Sequence, residues 1–250
     1  VSPVVPPRHQ GWLLAATLAA GVLRVATYDA PPGVRSRDMG TVVDATLARS
    51  SARLVVRGDV VVEGYALRVY AEGVVSFDED RASLTVSLPG AVSAEGPPPQ
   101  YDLRVSDHSA YVRALGSDAW YAFPSRGVGT FVPDPFLLLD MAAHTSTVRR
   151  IGGESVRGAG CDHYRGNVTA RGLRLPPRLT RDGTPPLRVD AWVAADGVPR
   201  RVSLSVQGKD GDLLRVTLDL FRYDTPVTVD VPDGSVDVSD STAAFEAMGS

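Results

Sequence analysis

The sequence predicts an α+β fold, in which a large antiparallel sheet is covered on one face by helices. Two blocks of long alternating strands, Leu54 to Leu88 and Leu187 to Val229, carry that expectation, together with one apolar helix between them near Pro135 to His144. Side chains alternate across a strand, so each block builds a sheet with one oily face and one wet face. An oily face of that size must be covered, and the helix between the blocks is apolar enough to cover it.

The first element is an apolar run, Trp12 to Leu23, preceded by Arg8 and His9. It has the length of the apolar stretch of an export signal and is short for crossing a bilayer. Leu18-Ala19-Ala20 has the look of the small-residue box before an acylated cysteine, but Gly21 stands where the cysteine belongs. An export signal is the expectation; an uncleaved anchor and an ordinary helix are the alternatives. Ala30 to Arg37, with Pro31, Pro32 and Gly33, reads as a linker. The chain therefore divides into a signal-like segment and linker over 1–37, a main domain over 38–240 and a tail over 241–250.

Asp38 to Ser50 places Met39, Val42, Val43, Thr46 and Leu47 at helical spacing, with Asp38 as cap. Strands follow near 53–63, 66–77 and 81–88, with turns at Gly64 and at Asp78-Glu79-Asp80. Ala91 to Gln100, rich in proline, is a loop. Shorter strands are expected near 101–106, 109–115 and 119–123. Asp134-Pro135 opens the apolar helix, with Asp134 as cap and Pro135 at its first position. Strands resume near 147–151, 154–158 and 160–170. Leu175 to Pro186 is a connection, and three long strands lie near 187–195, 199–207 and 212–223. Val227 to Val238 is read as an extended edge and Thr242 to Ser250 as a frayed tail.

If the space between sheet and helix holds an apolar ligand, the inward positions line it. In the first block these are Val56, Leu67, Val69, Val75, Leu84 and Val86. Tyr121 and Phe123 follow, then Phe136, Leu139 and Met141 on the helix, then Val189 and Leu204 in the second block. A dry core has the same pattern, so the residues alone leave both readings open.

The 250 residues bury a full core without staples. Net charge is −3 with both signs interspersed, which gives nucleic acid no basic surface to meet. Lys209 is the one lysine among 26 basic residues. This arginine bias, with abundant Ala, Val, Gly and Pro, points to a GC-rich coding sequence such as an actinobacterial one. Cys161 is alone and is read as a packed side chain in a strand. His144 ends the apolar helix, where a cation suits the dipole, and His163 is read as a structural histidine. The acidic run Asp78-Glu79-Asp80 is read as a polar turn and not as a cation site. No phosphate loop, dinucleotide fingerprint, nucleophile elbow or metal-ligand spacing is present, so no cofactor, metal or catalytic residue is expected.

The stretches Asp134-Pro135-Phe136-Leu137-Leu138-Leu139, Val148 to Gly158 and Asp162-His163-Tyr164-Arg165-Gly166 resemble the actinobacterial LppX/LprG-like lipoproteins. Val189 to Val202 and Tyr223 to Val229 are similar to the same family, and the likeness runs over roughly residues 40–235. The resemblance implies a LolA/LolB-like half-barrel, a strongly bent antiparallel sheet with helices in its concave side. It also implies an exported protein of the cell envelope or exterior that carries lipid or glycolipid acyl chains without catalysis. A monomer that contacts a membrane surface follows from that reading. The family's acylated cysteine is missing, which leaves anchoring open. An envelope sensor or interaction protein with the same fold and no transported ligand is the alternative.

Overall fold

The computed structural model describes residues 24–25, 37–62, 65–89, 98–106, 108–125, 134–168, 173–174, 187–208 and 211–249. The elements are β1 (Arg24–Val25), α1 (Arg37–Leu47), β2 (Ser51–Val62), β3 (Tyr65–Ser76), β4 (Arg81–Ser87), β5 (Gln100–Ser106), β6 (Ser109–Ala114) and β7 (Tyr121–Pro124). They continue with α2 (Pro135–Ala143), β8 (Ser146–Val156), β9 (Ala159–Val168), β10 (Leu173–Arg174), β11 (Leu187–Ala194), β12 (Pro199–Gly208), β13 (Gly211–Phe221), β14 (Val236–Asp237) and α3 (Ser241–Gly249). The Trp12–Leu23 run, most of the Ala30 to Arg37 linker, the Gly64 turn and the 175–186 connection lie outside the described residues.

Twelve of these strands form one open sheet in the order β14-β7-β6-β5-β4-β3-β2-β13-β12-β11-β9-β8. Every pairing is antiparallel except β14 on β7. The two blocks foreseen from the sequence meet at β2 and β13, where Leu54 faces Leu220 and Val56 faces Leu218. The first and last long strands thus fuse the halves into a continuous sheet that curves around the helices. A separate two-stranded piece pairs β1 with β10.

A close approach of two strands at Gly73 in β3 suits the curvature of the sheet. A Cβ built there meets the Ser83 carbonyl oxygen at 1.9 Å, so β4 folds across β3 more closely than any side chain permits. Gly166 in β9 plays the same part for α2. A Cβ there meets Thr145 at 2.3 Å and the Ser146 carbonyl at 2.7 Å, so the chain leaving α2 lies directly on β9.

Several expectations need correction. The two strands expected over 147–158 are one, β8, because an edge strand absorbs irregularity as bulges without ending; its register slips between Ser146 and Arg149 and again between Arg150 and Gly152. Asp38 lies inside α1 and does not precede it. Leu47 faces solvent, and Thr46 takes the inward place, its hydroxyl donating to the Val42 carbonyl at 2.8 Å. The 227–238 stretch is mostly irregular and pairs only at Val236 and Asp237. The tail expected to fray is the helix α3, which buries Ala244 and packs Phe245 and Met248 against the core.

Candidate ligand-binding interior

The inner face is built row by row from the pairing. One row runs Leu220, Leu54, Gly73, Leu84, Leu103, Val112 and Tyr121 through seven neighbouring strands. The next runs Val202, Leu218, Val56, Ala71, Val86 and Tyr101. On the five strands that contribute to both rows the two members are two residues apart, which puts both rows on one face. Val189 faces Leu204 in the same layer farther along the sheet. Among the described positions of β2–β7 and β11–β13 that point inward, none carries a charge.

Helices α1 and α2 pack on each other and on β12. Asp134 caps α2 as its sequence demands: the backbone N–H of Phe136 donates to Asp134 Oδ1 at 2.9 Å, and that of Leu137 at 3.4 Å. His144 closes the other end, its N–H donating to the Asp140 carbonyl at 3.2 Å. The cap at each end satisfies groups that would otherwise lie unpaired against the oily sheet. Within α2, Leu137, Leu138, Leu139, Met141 and Ala142 are buried. Phe136 meets Phe77 edge to face at 6.4 Å. At the β7 end, Phe245 of α3 meets the Tyr101 ring at 5.0 Å, and the Tyr121 hydroxyl donates to the Ala247 carbonyl at 3.4 Å. Burial pushes the Tyr101 hydroxyl above its ordinary pKa, as expected of a phenol beneath a helix.

Of the residues read from the sequence, Val56, Val69, Val75, Leu84, Val86, Phe123, Leu139, Met141, Val189 and Leu204 are buried in one contiguous cluster. Tyr121 and Phe136 are half-buried against it. Leu67 stands opposite Val60 in β3, and its side chain is outside the described residues. Trp120 parts from Tyr121 and Phe123: it stacks on the outer side beneath Arg113 at 4.6 Å and Arg104 at 5.5 Å. Sequence reasoning missed Tyr101, Phe245 and Met248. The signal was present in Ala244-Phe245 and Met248 at helical spacing, but the short segment has too little polar contrast to be read as a stripe.

The outer face is polar and ordered. Asp219 in β13 is almost wholly buried and receives Arg201 Nε at 2.6 Å, Arg57 Nη1 at 2.9 Å and Arg157 Nε at 3.4 Å. Burial alone pushes its carboxyl up, but the hydrogen bonds and charges of Arg201 and Arg57 outweigh that and hold it below the ordinary range. His163 lies between Glu154, at 2.8 Å from Nδ1, and Asp190, at 2.7 Å from Nε2, and stacks on Trp192 at 4.1 Å. With a carboxylate on each ring nitrogen, His163 joins β8 to β11 as a structural brace. Cys161 is buried beside it, and desolvation pushes its thiol up, which leaves little thiolate.

No protein-family model matches the chain, and no curated protein is significantly similar in sequence. Solved structures do match. Lipoprotein LppX of Mycobacterium tuberculosis superposes with a TM-score of 0.51 at 15% identity, over 77% of this chain and 96% of LppX. The chain has an LppX-like fold. LprF of Mycobacterium bovis gives 0.49 at 17% identity, over 81% of this chain and 100% of LprF. A putative outer membrane lipoprotein-sorting protein domain of Vibrio parahaemolyticus matches more loosely, at 0.26 with 8% identity, over 76% of this chain and 95% of that domain. At such identities the likeness is one of fold. The stretches that carried the resemblance in sequence fold as α2 over Asp134–Leu139, as β8 and its turn over Val148–Gly158, and as the β11–β12 hairpin over Val189–Val202.

Proposed function

We propose that this protein is a non-enzymatic lipid carrier of the cell envelope, holding acyl chains of lipid or glycolipid between the curved sheet and its helices. The observation that carries the reading is the inner face itself. Ten strands present apolar side chains inward, and α2, apolar on most of its circumference, lies over them. Partition is the mechanism. Each methylene that leaves water contributes roughly 0.8 kcal/mol, so about ten buried methylenes match micromolar affinity. Val56, Leu67, Val69, Val75, Leu84 and Val86 form one wall in this proposal, with Val189 and Leu204 continuing it. Phe136, Leu139 and Met141 face them from α2, and Tyr121 and Phe123 close the β7 end.

The location is part of the proposal. The apolar run over 12–23 serves export, and 38–240 is the binding domain, acting as a monomer at a membrane surface. No described helix is long and apolar enough to cross a membrane. The test is mass spectrometry of an organic extract of protein purified from its native host, paired with uptake of a fluorescent fatty-acyl probe by the delipidated chain. A co-purifying lipid and saturable uptake are expected. Absence of both overturns the reading.

A further inference from the structure

The β8–β9 hairpin is tied to the outer face at a point far from its own place in the sheet. Its turn is Arg157-Gly158, with φ of +50° and +82°, the left-handed pair of a tight hairpin turn. Strand β9 is three places from β13 in the sheet, with β11 and β12 between them. Three strand spacings are roughly 14 Å, more than an arginine spans. Yet Arg157 Nε reaches Asp219 Oδ2 in β13 at 3.4 Å, and its guanidinium lies 4.0 Å over the Phe221 ring. The turn is therefore folded back over the outer face, and Val156 is buried with it.

The other end of β8 is joined as firmly to α2. The chain passes from α2 through His144 and Thr145 into Ser146. Thr145 and the Ser146 carbonyl fill the space over Gly166, the Thr145 hydroxyl donates to the Met141 carbonyl at 3.4 Å, and the Ser146 hydroxyl donates to the Asn167 carbonyl at 2.9 Å. Helix α2 on the inner face and the Arg157 turn on the outer face thus lie at the two ends of one strand, β8.

We infer that the Arg157–Asp219 contact is a latch. It holds the β8–β9 hairpin down and, through β8, keeps α2 seated on the sheet; releasing it lets α2 swing and opens the interior beside it. Asp219 suits the task because Arg201 and Arg57 keep it charged and in place whether or not Arg157 is bound. The latch stands on the geometry alone; only its effect on ligand passage rests on the proposed lipid reading.

Hydrogen exchange on the full chain tests the latch, comparing Arg157→Gln with Arg57→Gln. Both remove one guanidinium from Asp219, but Arg57 belongs to β2, next to β13, and ties no hairpin. Exchange over residues 135–160 is expected to quicken about tenfold or more in R157Q and to stay as in the wild type in R57Q. Equal acceleration in both, or none in R157Q, overturns the latch. Stopped-flow uptake and release of an anthroyl-labelled palmitate tests the opening. Both rates are expected to rise about tenfold in R157Q, with the dissociation constant within about threefold of the wild type. Unchanged rates alongside faster exchange overturn the opening and leave a latch on the hairpin only. If the wild-type chain takes up no palmitate, the lipid reading and the opening fall together, while exchange still decides the latch.

Discussion

Replacing Gly73 with alanine is expected to cost far more stability than the same change at Gly58 in the neighbouring strand. The alanine Cβ would stand 1.9 Å from the Ser83 carbonyl oxygen and 2.9 Å from the Leu84 Cα, where real contacts stay above 3.0 Å. Both obstacles are backbone, so no side chain can rotate away, and β4 must retreat by about 1 Å. A shift of that size takes neighbouring N–H···O bonds out of range. Losing about two of them costs roughly 2 kcal/mol. Disturbing the packing of Leu84, which is 1% exposed, adds roughly 1–3 kcal/mol. The expected loss is about 3–5 kcal/mol, or roughly 6–20 °C in Tm for a chain of this size. Gly58→Ala is the control, since its Cβ meets only the Val69 Cβ at 3.6 Å, an ordinary contact. Urea titration followed by far-ultraviolet circular dichroism measures both. If Gly73→Ala loses no more than Gly58→Ala, the close approach of β4 does not shape the sheet and the account of its curvature fails.

Leu138→Asp puts an unpaired carboxylate among the buried side chains of α2; a loss of about 4 kcal/mol or more, or no folded protein, is expected by thermal unfolding. Wild-type stability in that variant would show that α2 is not held against the sheet. Val69→Trp and Val86→Trp are expected to weaken palmitate uptake more than folding, because overpacking costs roughly 1–3 kcal/mol only where the space is already filled. Destabilised variants beside a wild type that binds nothing would mark a dry core. For pH, the folded-state pKa of Asp219 is depressed, so its contribution is complete above the unfolded carboxylate value near 4 and is lost as pH falls through the lower folded value. Stability of the wild type should therefore fall more steeply below about pH 4 than that of Asp219→Asn, and parallel acid-unfolding curves would refute this.

The alternation of Ala82 to Leu88 and of Leu187 to Val193 determined strands and inward faces without help, because a period of two is set by backbone geometry. Asp134-Pro135 likewise determined where α2 begins, since capping is local chemistry. Local order also picked out many residues of the buried cluster, and the residues outside its reach were those whose neighbours are distant in sequence. Phe245 is assigned by the Tyr101 ring, 144 positions earlier, and the outward turn of Trp120 by Arg104 and Arg113. The joining of β2 to β13, and the meeting of Arg57, Arg157 and Arg201 on Asp219, were decided only by the tertiary structure. Strand order depends on which edges meet after the chain has closed a long loop, and on glycines such as Gly73 that let one strand lie close on another. Nothing within a few residues of Asp219 marks it as the point to which three segments are tied, because its partners are brought there by the fold.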